Sequence, residues 1–274
     1  MTLPVPVLDH VVVNALDRLD EVAALWERLG FTLTPRGHHT LGSQNNLAIL
    51  GADYIELLGV PPGPSNRTDV LEWPAGLNGI VFKDWDADAT HAALHGAGVP
   101  VLPPQSFSRP VDMPGGPRDA AFRTVRLQRD AAPAGRLFFC HHQTPELVWR
   151  DAWRRHPNGA VAVAGALVAA TDPSELLGLF AQMFGADAVR DGALVAGLAR
   201  VEVMTPAALR ARLGDAAPDG DGRLQFMAAL ELRTLSLGRV DAALEAERIP
   251  HVRGTDTVTV AADQAGGVAL VFRE

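Results

Sequence analysis

The amino-acid sequence predicts an α+β fold in which four β-α-β-β-β modules stand in tandem and pair into two domains. Three observations carry this expectation. A strand, a helix and three short extended segments recur in that order four times, the layout of a duplicated architecture. The helix endings alternate: the first and third helices close on RLGF and MFGA, the second and fourth on AALHGAGVP and AALEAERIP. The length agrees, because 274 residues at roughly 150 per domain suggest about two cores.

In the first module, residues 7–14 (VLDHVVVN) are a β-branched run expected as a strand. Asp17 to Gly30 follows with Val22, Leu25, Trp26 and Leu29 at helical spacing and Gly30 as its C-cap. Phe31 to Arg36, Asn46 to Leu50 and Tyr54 to Val60 are extended segments parted by glycine-containing turns. The second module places its first strand at 77–83, its helix at 87–98 and further strands near 105–109, 121–128 and 136–142. In the third these elements fall at 162–170, 172–185, 186–189, 193–195 and 199–204; in the fourth at 224–232, 237–247, 251–253, 257–261 and 268–272. The N-terminal domain is thus expected within 1–150, from modules 7–60 and 77–142. The C-terminal domain is expected at 160–274, after the RRHPNGA linker.

Composition narrows the function classes. The chain is 47% apolar and 20% charged, as ordinary globular proteins are. Its formal net charge of -8 disfavours a nucleic-acid partner, which demands clustered Lys and Arg. One cysteine, Cys140, rules out an intramolecular disulfide framework and fits a reducing compartment, so a cytoplasmic location is expected. The N-terminus lacks a basic segment followed by an apolar one, and no long charge-free apolar stretch occurs, so neither export nor membrane insertion is expected.

Two residues stand out physically. His10 lies within an apolar strand, and Glu56 is flanked by Ile55 and Leu57; both are costly to bury unless paired or metal-bound. Strand alternation puts Tyr54, Glu56 and Leu58 on one face. The run LDHVVV, a helix closing on ERLGF, and HHTLGSQNNLAILGADYIELLGV resemble the glyoxalase-like branch of the vicinal oxygen chelate superfamily. The resemblance is strong over about the first 60 residues; FFCHHQTPELVWR and HPNGA are similar to the same branch. It implies that each pair of modules curls into an eight-stranded open barrel, with metal ligands on the first and fourth strands of each module.

The ligand positions implied for the first module are His10 and Glu56. In the second module Gly79 stands opposite His10 and Cys140 opposite Glu56, and strand parity adds His142 to that face while His141 points away. His10, Glu56 and either His142 or Cys140 would suit a divalent metal such as Zn, Fe, Mn or Ni; the alternative is a cup without metal. In the resembling branch a His and an Asn of the loop HHTLGSQNN approach the substrate, which implies His39, as a general base, and Asn46 here, with Gln44 and Asn45 less favoured. Arg109, Arg118, Arg123 and Arg126 suit an anionic substrate, with Arg123 and Arg126 on opposite faces of their strand.

The C-terminal pair is expected to be emptied, since Gly165 and Ala229 replace His10 although Glu202 matches Glu56; residues 160–274 are then structural or support a homodimer. Two functions follow. One is a metal-dependent lyase, isomerase or dioxygenase acting on a small oxygen-rich metabolite. The other is a metal-free protein that sequesters a small molecule, as bleomycin-resistance proteins of the superfamily do.

Overall fold

A computed structural model describes residues 2–274. The N-terminal half runs β1 (Leu8–Leu16), α1 (Leu19–Arg28), β2 (Gly37–His38), β3 (Gln44–Ile49), β4 (Tyr54–Gly59), α2 (Thr68–Leu71), β5 (Gly76–Asp84), α3 (Ala87–Gly96), β6 (Gln105–Val111), β7 (Arg118–Arg126) and β8 (Arg136–His142). The C-terminal half runs β9 (Ala160–Ala170), α4 (Pro173–Phe184), β10 (Val189–Arg190), β11 (Ala193–Ala196), β12 (Ala199–Met204), α5 (Pro206–Leu213), β13 (Gln225–Thr234), α6 (Leu237–Ala246), β14 (Val252–Arg253), β15 (Val258–Val260) and β16 (Ala269–Arg273).

Each half makes one eight-stranded sheet, in the orders β2-β3-β4-β1-β5-β8-β7-β6 and β10-β11-β12-β9-β13-β16-β15-β14. Within a module the first and fourth strands pair in parallel, and the two modules join through antiparallel first strands, β1 with β5 and β9 with β13. The N-terminal sheet curls until its edges meet, where the Thr40 amide donates to the Ser108 carbonyl over 2.9 Å. Helices α1, α3, α4 and α6 lie on the convex side, whereas Val70 of α2 and Leu209 of α5 pack against the concave faces. Asp86 caps α3 by accepting from the Asp88 and Ala89 amides, and Asp172, followed by Pro173, caps α4.

The convex faces of both sheets share one apolar core. Phe31 packs on Phe272 and Phe82 on Phe184, while the Trp26 indole donates to the Ala265 carbonyl over 3.3 Å. A separate apolar cluster lines the N-terminal concave face, including Val12, Leu47, Tyr54, Leu58, Phe122 and Cys140.

Three expectations are corrected. Phe31 to Arg36 is not a strand: Pro35 has no amide to donate, and pairing resumes only at the two-residue β2. Residues 186–188 form a 3₁₀ turn before the short β10. The segment after β12 contains the unanticipated α5, capped by Thr205 with Pro206 at its first turn.

Every first strand carries a β-bulge at a corresponding place. The register slips by one residue at Asp9 in β1, Asn78 in β5, Ala164 in β9 and Ala228 in β13. These bulges align His10 with Gly79, Gly165 and Ala229.

Candidate active site

The site grows out of the bulge in β1. An extra residue in one strand breaks alternation, so Asp9 and His10 face the concave side together. Asp9 Oδ1 lies 2.6 Å from His10 Nδ1 and 2.9 Å from His142 Nε2, and Lys83 Nζ stands 3.3 Å from Oδ2. Burial alone would raise the Asp9 carboxyl, yet the His142 and His10 imidazoles overcome it and hold the group well below the usual carboxylate range. His10 stacks on Tyr54 with ring centroids 4.3 Å apart, which leaves its Nε2 edge 3.8 Å from Glu56 Oε2.

Glu56 is 8% exposed. Its Oε1 accepts from Asn45 Nδ2 over 2.7 Å and lies 4.0 Å from His39 Nε2. Burial pushes its carboxyl up, but His10, His39 and the Asn45 hydrogen bond outweigh this and leave it below its ordinary value. His39 Nδ1 meets Ser43 Oγ at 2.8 Å, and burial drives the imidazole down to about 4, so it is neutral near pH 7.

These groups line a cavity of about 70 Å³ whose apolar wall includes Phe107, Phe122 and Phe138. At about 10–15 Å³ per water that is room for on the order of five waters, the bulk of a small metabolite. Four arginines line it, Arg67, Arg109, Arg126 and Arg136, against two carboxylates, Glu56 and Asp69. Arg126 bonds Asp69 Oδ2 at 2.8 Å and Gln105 Oε1 at 2.6 Å; Arg67 holds the same aspartate. Arg109 differs. It is 3% exposed, and its Nε and Nη2 are buried without a hydrogen-bond partner among the described residues.

The residues expected from sequence divide. His10, His39, Glu56 and Arg126 line the cavity. Asn46 does not: it faces the convex side, donating to the Thr34 carbonyl and accepting from Arg36, and its neighbour Asn45 faces the cup. Arg123 also turns outward, pairing with Asp88 of α3 at 2.6 and 2.7 Å. His142 is on the concave face, but Asp9 separates it from Glu56, because His10 offers Nδ1 to Asp9 and Nε2 to Glu56. Asp9 and Arg136 carry no expectation from the sequence, Asn45 is the less favoured candidate beside Asn46, and Arg109 is one cation among several there. The sequence signal for Arg109 was its parity with Phe107 on β6; Asp9 had none, since a bulge leaves no periodicity to read.

The register also decides whether the superfamily's metal ligands are present. Val12 pairs with Glu56, and the matching pair in the second module is Val81 with Phe138. Phe138, rather than Cys140, therefore corresponds to Glu56. Gly79 occupies the position matching His10, where an added Cβ would lie 2.7 Å from Val12 Cβ. Two of the four positions thus hold no ligand atom, and His10 and Glu56 alone do not reproduce the group. Asp9, Cys140 and His142 do form a cluster of ligand-type atoms within 4.8 Å of one another. Its carboxylate already serves two imidazoles and Lys83, and burial, with Asp9 and Glu56, raises the Cys140 thiol.

The fold and site define a class. Residues 8–184 match the family model described as a glyoxalase-like domain. The chain belongs to this glyoxalase-like family. Among solved structures, a hypothetical protein from Staphylococcus aureus aligns with TM-score 0.63 and 13% identity, covering 97% of this chain and 98% of that one. A mutant 4-hydroxymandelate synthase from Streptomyces coelicolor aligns with TM-score 0.61 and 10% identity, over 99% and 94%. A xylose isomerase-like TIM barrel/4-hydroxyphenylpyruvate dioxygenase fusion protein gives TM-score 0.55 and 13% identity, with all of this chain covering 50% of that one. At these identities the likeness is one of fold. No curated protein sequence matches the chain. Among the described residues no helix is long and apolar enough to cross a membrane.

Proposed function

We propose that the N-terminal cup binds a small oxygen-rich metabolite and moves a proton at a carbon beside its carbonyl group, as a lyase or isomerase does. The observation that carries this reading is the buried Glu56 carboxylate, set in the cavity between the His10 and His39 imidazoles. Glu56 takes the proton on a carboxylate oxygen, and the C–H electron pair passes to the carbonyl oxygen as an enolate. Return of the proton to another carbon, or departure of a leaving group, completes the reaction. A carboxylate held below its ordinary value is a weak base, so the enolate must be stabilised by a positive group nearby. His39 is neutral near pH 7 and can relay the proton, while the phenylalanine wall keeps water out.

Dioxygenase chemistry is less supported, because Gly79 and Phe138 stand where the second module would add metal ligands. The same two residues favour, as a second reading, metal-free binding without turnover. Proton NMR in D₂O separates the two, with pyruvate and 2-oxobutyrate as probes. The wild-type chain should speed deuterium uptake at the carbon next to the ketone, and Glu56→Gln should remove that acceleration. Uptake equal in both proteins would sink proton transfer by Glu56.

A further inference from the structure

We propose that Arg109 supplies the fixed positive charge that a metal ion supplies elsewhere in this architecture, and that its ligand is a small carboxylate. The inference builds on proton transfer by Glu56, which it completes by naming the group that holds the oxyanion. Three features support it. Arg109 is buried with Nε and Nη2 unpartnered. Those two N–H groups lie on one edge of the guanidinium, the edge that grips both oxygens of a carboxylate in parallel. A buried charged group left without acceptors is costly, so an empty fork of this kind is a receptor for an anion.

The surroundings select the same ligand. Gly37 of β2 makes room for the side chain, since a Cβ there would lie 2.8 Å from Arg109 Cδ and 3.2 Å from Nη1. The other cavity arginines have partners: Arg67 and Arg126 hold Asp69, and Arg136 Nε is shared between the Asn78 carbonyl and Oδ1, each at 3.2 Å, with its Nη2 buried without one; among them only Arg109 has both Nε and Nη2 buried and unpartnered among the described residues. Arg109 pairs with neither cavity carboxylate. Ligand and base therefore meet in one compartment, with Arg109 on the carboxylate, its charge beside the neighbouring ketone oxygen, and Glu56 free for the C–H on the ketone's other side. Electron density developing on oxygen is met by a preorganised cation, with no metal ligand required from the second module.

Oxalate tests this, because it is a small planar carboxylate that also chelates metals; oxamide, similar in shape and uncharged, is the control. Calorimetry is run on the full chain after EDTA treatment and dialysis, with thermal melts confirming that each variant is folded. Oxalate should bind the metal-stripped wild type and oxamide should not. Arg109→Gln should weaken oxalate at least tenfold, and Arg109→Lys, which keeps the charge but loses the fork, should fall between. Added zinc or manganese should not tighten binding. The inference fails if oxalate binds only after metal is restored, if it does not bind at all, or if folded Arg109→Gln binds as well as wild type. Glu56→Gln should retain oxalate, so loss of deuterium uptake with intact binding concerns the proton carrier alone, and the reverse pattern concerns Arg109 alone.

Discussion

Asp9 and His10 are consecutive in β1 yet share a face, with carboxylate Oδ1 2.6 Å from imidazole Nδ1. Such a contact orients the ring and turns its Nε2 edge toward Glu56, 3.8 Å from Oε2. Replacing Asp9 with Asn keeps the shape but removes the charge that serves His10, His142 and Lys83. We expect a loss of about 1.5–3 kcal/mol in stability, the range for hydrogen bonds to charged groups. Oxalate affinity should fall as well, checked by urea denaturation and calorimetry; unchanged values for both would show that the Asp9 charge orients nothing.

His39 makes the fold acid-sensitive. Its folded value of about 4 lies below the ordinary 6.5, so the unfolded chain binds more protons between these limits. Stability is full above about 6.5 and declines as pH falls toward 4, by about 3 kcal/mol in total. His39→Gln removes this component. The variant should therefore gain on wild type in urea midpoint between pH 7.5 and pH 4.5, and a constant difference would refute the assignment.

Asp53 acts in the opposite sense. Burial raises its carboxyl to about 6 although Oδ1 accepts from the Val163 amide, so its stabilising contribution is lost as pH rises through that value. Asn at this position mimics the protonated form. We expect Asp53→Asn to gain about 1–2 kcal/mol at pH 7, allowing for partial solvent access, and nothing at pH 4. A loss at pH 7 in thermal melts would contradict this.

Gly37 sets the space behind the cavity. A Cβ there would lie 2.3 Å from Asn45 Oδ1 as well as against Arg109. Gly37→Ala should cost about 1–3 kcal/mol by overpacking and weaken oxalate binding by displacing both side chains. Full oxalate affinity in the variant would show that the strand yields freely.

How much of this was legible in the sequence depended on periodicity. Val22, Leu25, Trp26 and Leu29 recur at helical spacing and α1 formed; Tyr54, Glu56 and Leu58 alternate and do share the concave face. The same parity separated Arg123 from Arg126. What failed was phase. A polar run such as Gln44, Asn45 and Asn46 has no apolar partner to mark the inward residue, so Asn46 was expected where Asn45 stands. Local sequence likewise set Cys140 opposite Glu56, whereas pairing with β5 puts Phe138 there. In α5, Arg210 and Arg212 flank Ala211 between Leu209 and Leu213, and only the cup beneath reveals its inner face.

That cup carries a further consequence. Arg212 at the end of α5 bonds Glu202, the counterpart of Glu56, and Glu231, each at 2.6 Å. The C-terminal half thus holds its own tethered cation, and a tethered group competes at an effective concentration that no dilution lowers. A free cation seeking the Glu202 carboxylate meets a permanent rival, whereas a free anion reaching Arg109 meets none. One architecture, built twice in the chain, is in one copy closed by an internal ion pair and in the other lined by a buried arginine that has none among the described residues.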